Sequence, residues 1–401
     1  MNFVQRLLNR VAPETRRQDL SWDHMRLEPG VAPMTVNADI VLSASSVAAR
    51  CVQIRSEMLA SVPLFLFRRS ANGGRDRADD LPLYGVLHDQ FHDGMTAFEG
   101  RELLVRSLDL AGNAYGRLEL DAAGQVTAIY PLLPHSVMIE QLSSDRLRYR
   151  VSPPSGGSYT LLADEILHIR GMSRDGVWGL SPLQIARANL GLMLSQNEAA
   201  IGLSQRGLRS SGFLETGQVL NPGDREKLTK IIQEYAGVGR AGSIMVLEGG
   251  MKYSPLSWSP EDAELLASRK LSNEDVARLF GIPPTAVGIT DRGTYSNTEQ
   301  EATALVRNAL APLATRVETA LMRACLTPDA RRELFIEHDL QGLLRGDTEA
   351  RYSAYATGRQ WGWLSANDVR RAENQPPIAT GDVYMQPVNM APAGTPPAPA
   401  A

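Results

Sequence analysis

The same helix start is written twice in this chain, and that repetition constrains the fold more than any other feature. Ser181-Pro182-Leu183-Gln184 and Ser259-Pro260-Glu261-Asp262 each set a serine hydroxyl before a proline. The hydroxyl can accept a hydrogen bond from an orphan backbone N–H, and proline fits the first turn, where its missing N–H costs nothing. Gln184 can reach back to complete a capping box. The first helix can run to Arg206 with Gly207 as its stop, close to 40 Å at about 1.5 Å per residue. The second can run to Phe280-Gly281, where Pro283-Pro284 forbids continuation. Between them lies 208–258, which reads as a strand (211–215), a helix (222–235), a Gly-rich turn and two strands (243–247, 251–256). It is too small to shield itself, so two long helices bracket a compact insert that needs neighbours for its stability.

The flanking sequence has a different texture. Val47, Cys51, Ile54 and Met58 place a helix over 43–59, followed by a strand over 62–67 and a polar turn over 68–80. A helix over 97–110 ends at Gly112-Asn113. Short alternating runs then follow at 114–120, 126–133, 137–140, 146–151 and 166–170, punctuated by Pro and Gly, which is the pattern of an antiparallel sheet. After Gly288 comes a loop, then a third capping box at Ser296-Asn297-Thr298-Glu299. The helix that follows contains Pro312, which predicts a kink. A strand over 334–339 and helices over 347–360 and 365–373 close the ordered part, and the Pro/Ala run 391–401 predicts disorder. Phe3, Val4, Leu7, Leu8 and Val11, spaced among arginines, predict an amphipathic N-terminal helix docked on the surface. The fold class expected is α+β.

Composition removes several functions. With 41 basic against 45 acidic side chains the formal charge is −4, and only four of the cations are lysines, at 227, 230, 252 and 270. A protein that holds DNA through phosphate neutralisation needs a basic surplus. Cys51 and Cys325 are the only thiols, which excludes a disulfide framework or a Cys-ligated zinc, and no apolar run is long enough to span a membrane. Gly237-Val238-Gly239-Arg240-Ala241-Gly242 spells a phosphate-cradling fingerprint, but a helix precedes it and a strand follows, the reverse of the required order, so it reads as a turn. His88 and His92 stand four apart without a third ligand, and Gly94 ends any helix there. Ser173 misses the nucleophile-elbow pattern by one residue, and His168 reads as a satisfied structural histidine. No enzyme, no metal and no cofactor are expected. Residues 274–287 look like a helix-turn-helix, yet Gly288, Ile289, Thr290 and Asp291 end the second helix after one turn with no base-reading side chain.

The order of motifs resembles a known family, the portal proteins of tailed double-stranded DNA phages and gene transfer agents. The matching residues are Leu110-Ala111-Gly112-Asn113-Ala114-Tyr115, Ile166 to Gly171, Asp175 to Leu183, Asn273 to Pro284, Thr294 to Gln300 and Ala311-Pro312-Leu313, spread over about 40–390. The resemblance implies a portal fold: an α/β wing, paired long stem helices, a small α/β clip insert and a C-terminal helical crown. By position, an N-terminal amphipathic segment would occupy 1–19, the wing 20–178 and 281–340, the stem helices 181–207 and 259–280, the clip 208–258, the crown 341–375 and a Pro/Ala-rich, partly disordered tail 376–401. Ser181, Pro182, Gln184, Ser259 and Pro260 would cap the stem helices.

The resemblance further implies a dodecameric homo-oligomeric ring at the unique capsid vertex of a virion, assembled in a bacterial cytoplasm. Double-stranded DNA would pass through it, with the large terminase subunit, the major capsid protein and a head-tail adaptor or connector protein as partners, and no membrane. The tunnel loop over 289–296 would put Thr290, Asp291, Arg292, Gly293, Thr294 and Tyr295 beside the DNA. Arg292 next to Asp291 suits brief phosphate contact rather than a grip. Glu226, Lys227, Lys230 and Glu234 of the clip would tune docking. The alternative, a DNA-binding regulator built on the helix-turn-helix-like segment, predicts a monomer or dimer with tight, sequence-dependent duplex binding.

Overall fold

The computed structural model describes residues 16–20, 38–70, 74–206, 212–215, 252–255, 273–289, 295–344, 348–373 and 375–385, with single positions between 221 and 230. Contacts divide the chain into two compact units, Met1–Asp339 and Leu340–Ala401. In the first, strand β1 (Arg16–Leu20) precedes helices α1 (Ala38–Ala44) and α2 (Ser46–Ser61), then β2 (Leu64–Arg69) and β3 (Arg75–Arg77). Helix α3 (Pro82–His88), the short hairpin β4 (Gln90–His92) and β5 (Met95–Thr96), and helix α4 (Ala97–Ala111) follow. Thr96 and Glu99 form a full capping box at the start of α4, and Gly112, at φ 73°, ends it in the left-handed conformation that glycine adopts without penalty.

Next come β6 (Asn113–Leu120), β7 (Val126–Leu132), β8 (Val137–Leu142), β9 (Leu147–Val151), β10 (Tyr159–Leu162) and β11 (Ile166–Arg170). The β6–β7 hairpin closes because Asp121 accepts the Gln125 N–H at 2.8 Å and Gly124 takes φ 82°. Two antiparallel sheets result, ordered β1-β8-β9-β10 and β11-β6-β7. The Arg16–Leu20 strand pairs with β8, so this part of the expected N-terminal segment and the first residue of 20–178 belong to one strand. Residues 1–15 lie outside the described residues. The short pair β12 (Met172–Ser173) and β13 (Gly179–Leu180) leads to α5 (Pro182–Ile185) and α6 (Arg187–Arg206).

The helix expected over 181–207 is therefore broken at Ala186, whose φ −96° and ψ 22° leave the helical region. The 20 residues of α6 span about 30 Å rather than 40 Å. Beyond it, β14 (Gly212–Glu215) and β15 (Lys252–Pro255) pair antiparallel. Of the helix expected over 259–280, the described part is α7, residues 273–279. Helices α8 (Tyr295–Leu305) and α9 (Ala311–Cys325) are joined through a π-helical turn at Val306–Leu310. The helix starts at Tyr295, so Tyr295 and Ser296 are helical and not part of a loop. The irregularity expected at Pro312 takes the form of that π turn: the Ala311 N–H bonds to Val306 O, one residue further back than in an α-helix. After α10 (Ala330–Glu333), β16 (Leu334–His338) pairs with β2 in a sheet ordered β16-β2-β3, which ties 334–338 to the N-terminal part of the unit.

One core gathers apolar residues from α1, α2, α5, α6, α7, α8 and the π turn. Val41, Cys51, Ile54, Leu183, Leu190, Met193, Val276, Ala277, Phe280, Leu305 and Ala309 are all buried in it. Burying a side chain of leucine or phenylalanine size contributes about 1.5–3 kcal/mol, so this cluster dominates the packing of α2, α6 and α7. A second core lies between the sheets around Tyr115, Ile139, Tyr149 and Trp178. Arg101 on α4 is buried and donates through Nη1 to Leu87 O and through Nη2 to Ala60 O, at 2.7 Å each.

The second unit holds α11 (Gln341–Leu344), α12 (Thr348–Gln360) and α13 (Ala366–Ala372). Ser365 and Asp368 form a capping box on α13, and Glu373 binds Arg351 at 2.8 Å and the Tyr355 hydroxyl at 2.9 Å. Asn367 pairs with both backbone groups of Ile378, which stitches the first residues after 375 to α13. Residues 386–401 lie outside the described residues.

Gly112 is the position where the backbone is most exacting. A methyl there would meet Gly179 O, Leu180 C and Ser181 N, all at 2.5 Å. Left-handed strain costs about 1–2 kcal/mol and overpacking about 1–3 kcal/mol, so Gly112→Ala should lower unfolding stability by about 2–5 kcal/mol in denaturant titration. Gly156→Ala, at φ 92° with nothing within 4 Å, should cost only the first part; equal effects would contradict this reading.

Candidate functional site

Three of the segments that carry the family resemblance meet at one point. Gly112 O accepts the Gly171 N–H at 2.7 Å. Asn113, next in line, uses its buried side chain as a surrogate strand: Nδ2 donates to Gly179 O at 2.9 Å while Oδ1 accepts the Gly179 N–H at 3.0 Å. The same Oδ1 accepts from His168 Nε2 at 3.0 Å, and His168 Nδ1 accepts from the Tyr149 hydroxyl at 3.1 Å. That pattern assigns a neutral imidazole with its proton on Nε2. Burial drives the His168 pKa well below its ordinary value, and the charges of Arg170 and Arg323 push the same way. Tyr115 stacks on the ring with centroids 4.6 Å apart. His168 is a satisfied structural histidine.

Two residues after Gly179, Ser181 accepts the Gln184 N–H at 3.1 Å and Gln184 Oε1 accepts the Ser181 N–H at 2.8 Å, with Pro182 in the first turn. The start of the short helix α5, which leads into α6, is therefore anchored directly to the sheet. Ser173 is spent on its own loop: its hydroxyl donates to Trp178 O at 2.6 Å and accepts the Gly176 N–H at 2.9 Å. Burial acts to raise the Asp175 pKa, but bonds from the amides of Trp178 and Val177 to its carboxylate hold it low. No nucleophile with a base is assembled here. His88 lies in α3, stacked on Phe65, and His92 in β4, stacked on Tyr130, so the two do not share a helix.

Helix α7 is held at its C-terminal end through an ion pair. Arg55 on α2 grips Asp109 on α4 through two bonds of 2.9 and 3.0 Å, and its Nη1 donates to Phe280 O at 2.9 Å, just past α7. Burial raises the Asp109 pKa and Arg55 opposes it. The planar guanidinium fork makes all three bonds possible at once. These residues were not singled out in the sequence; nothing local marks Arg55 or Asp109 as partners.

The helix-turn-helix reading fails here. Val276, Ala277, Phe280 and Ile282 are buried in the common core, and the expected recognition helix is a single 3₁₀ turn, Pro284–Val287, ended by Gly288 at φ 84°. That turn is bonded to α8 through the Thr285 hydroxyl and the Glu301 carboxylate. Thr290, Asp291, Arg292, Gly293 and Thr294 lie outside the described residues, framed by this turn on one side and by α8 at Tyr295 on the other. Glu226 and Lys230 stand at exposed helical positions, four residues apart. Lys227, Glu234, Ser259, Pro260 and the 237–242 turn lie outside the described residues.

Residues 46–374 match the phage portal protein family, and the chain belongs to it. Its function is that of a portal protein at a capsid vertex, and its place is the virion. The portal protein of Enterobacteria phage HK97 is 31% identical over 357 residues, 88% of this chain and 83% of that protein. A chain from the neck of an empty gene transfer agent particle shares the fold at TM-score 0.65 and 24% identity, covering 90% of this chain and 97% of that one. A chain from the neck of a native particle with C12 symmetry gives 0.59 and 23%, covering 84% and 92%.

The His168 site makes stability depend on pH. An unfolded histidine takes up its proton near 6.5, and the folded one does not. Below that pH the unfolded state binds more protons, so stability should fall by about 1.4 kcal/mol per pH unit from pH 6.5 towards 5. His168→Gln should remove that part of the slope in denaturant titrations across the window. Equal slopes in the two proteins would contradict a neutral buried imidazole.

Proposed function

We propose that twelve copies of this chain close into a ring at one capsid vertex, with the paired helices and the 290–294 loop facing the double-stranded DNA that passes through. One observation carries the reading: Leu183 of α5, Leu190 and Met193 of α6, and Val276, Ala277 and Phe280 at α7 are buried in one core, beside the turn that opens the loop. Two helices fixed at a common root, with an insert between them, suit a stem and clip over 181–207, 259–280 and 208–258. The wing would be 20–178 with 281–340, and the crown 341–375. The C12 symmetry of the similar neck particle supports the count of twelve.

The chain supplies no catalytic chemistry in this role. Its work is geometric and electrostatic. A DNA conduit must let phosphates stay hydrated, and a chain of net charge −4 offers them no continuous basic wall. Arg292 beside Asp291 would touch the backbone in passing. Glu226, Lys227, Lys230 and Glu234 would set the salt dependence of docking to a terminase and then to a connector protein.

Deleting Arg292 to Thr294 tests the loop. Ring assembly, followed by light scattering, should be unchanged, while DNA retained per particle falls several-fold. Loss of rings with normal folding would show that the loop is a contact between copies instead.

A further inference from the structure

The second unit leaves large apolar side chains in the open. Trp363 is 68% and Trp361 52% exposed, and Val383, Tyr384 and Met385 lie between 58% and 66%. Apolar side chains concentrated in this way mark a place where something docks. The two indoles are also held in position. The Trp361 backbone N–H donates to Thr357 O at 3.0 Å and that of Trp363 to Gly358 O at 3.1 Å, with Gly362 at φ 78° between them. The Trp363 ring lies against the end of α12, so close that a methyl on Gly358 would meet its Nε1 at 2.8 Å. Among the described residues that Nε1–H donates no hydrogen bond.

The chain comes back to this region just before the described residues end. Asn367 on α13 holds both backbone groups of Ile378, and its own N–H donates to Gly381 O at 2.9 Å. The Tyr384 hydroxyl then bonds the Asp368 carboxylate, which also accepts the Ser365 N–H at 2.9 Å. Ser365 stands two residues after Trp363, so 384–385 and the indole pair both adjoin the N-terminal end of α13.

Residues 386–401 follow. They carry no charge, and prolines stand at 387, 392, 396, 397 and 399. A run of Pro, Ala and Gly has no side chains with which to build a core of its own. What such a sequence offers is a pre-extended backbone whose carbonyls have no internal partner. Aromatic surfaces recognise that form by setting rings against the prolines, with an indole N–H suited to a carbonyl. Pro396-Pro397-Ala398-Pro399 has the P-x-x-P spacing that brings two prolines to one side of a helix with three residues per turn. At about 3.1 Å per residue, 386–396 reaches about 34 Å, against about 20 Å for the whole of α12, so the motif has ample length to return over the indoles. Attachment to the same chain keeps the motif at a millimolar effective concentration, so even a weak contact is occupied.

We propose that Trp361 and Trp363 form a docking surface for the proline-rich segment of their own chain, with Pro396 to Pro399 laid across the indoles and the Trp363 Nε1–H given to a carbonyl of that segment. Docked there, the segment shields an apolar surface that would otherwise draw non-specific association. The contact does not depend on the ring or on residues 290–294.

Acrylamide quenching of tryptophan fluorescence in the full chain tests it. In a Pro396→Gly/Pro397→Gly/Pro399→Gly variant the quenching constant should rise about twofold over the parent, because both indoles lose their cover. With Trp361→Phe/Trp363→Phe built into both proteins, that difference should vanish. Equal quenching in the parent and the glycine variant overturns the proposal, and so does a rise that persists without Trp361 and Trp363. Mixing the glycine variant with a Trp361→Phe/Trp363→Phe chain whose prolines are intact separates one copy from two. Docking within one chain leaves the glycine variant's indoles open, whereas restored protection would give the segment to a second copy and overturn docking within the chain.

Discussion

The side-chain amide of Asn113 is the interaction on which the rest of the structure depends. It pairs with both backbone groups of Gly179, as a neighbouring strand would, and it accepts the hydrogen bond of His168 Nε2–H on the same oxygen. A buried amide left without such partners would cost about 1–3 kcal/mol, so the site is made or lost as a unit. Ser181 follows Gly179 by two residues, so the point at which the chain leaves the sheet for α5, and beyond the break at Ala186 for α6, is fixed here. Arg55 performs the matching task for the second helix, with Asp109 balancing its charge and Phe280 O receiving its third bond. A polar clamp at each root and one apolar core between them hold the two helices.

Such rooting suits a protein that has to carry a moving polyanion. In the ring proposed above, fixed roots would keep a channel wall in register without any chemistry directed at the DNA, and mixed charge would let the DNA move on. The charge balance excludes a protein that holds DNA along its length.

Much of this was legible from local chemistry. Ser181, Pro182 and Gln184 announce a helix start because a capping box involves only neighbours in sequence, and Gly112 announces a helix end for the same reason. The strands 113–120, 126–132 and 166–170 show in their alternation. What escaped was decided by tertiary partners. The break at Ala186 leaves no mark in propensity, and the π turn before Pro312 replaces a simple kink. Strands β10, β12 and β13 are too short to alternate visibly. Asn113 reads in sequence only as a helix terminator, and the Arg55–Asp109 pair has no local signature at all. The helix-turn-helix likeness misled because the turn sequence is shared, while burial of Val276 and Phe280 and the 3₁₀ turn at 284–287 decide against it.

Cryo-electron microscopy of the assembled protein in its particle measures the central claim most directly. The account predicts a twelvefold ring in which residues 290–294 form the innermost ring of density around the DNA, with the Asn113 and Arg55 clamps at the base of the paired helices behind it. A closed dimer, or a ring with 290–294 on its outer surface, would contradict it.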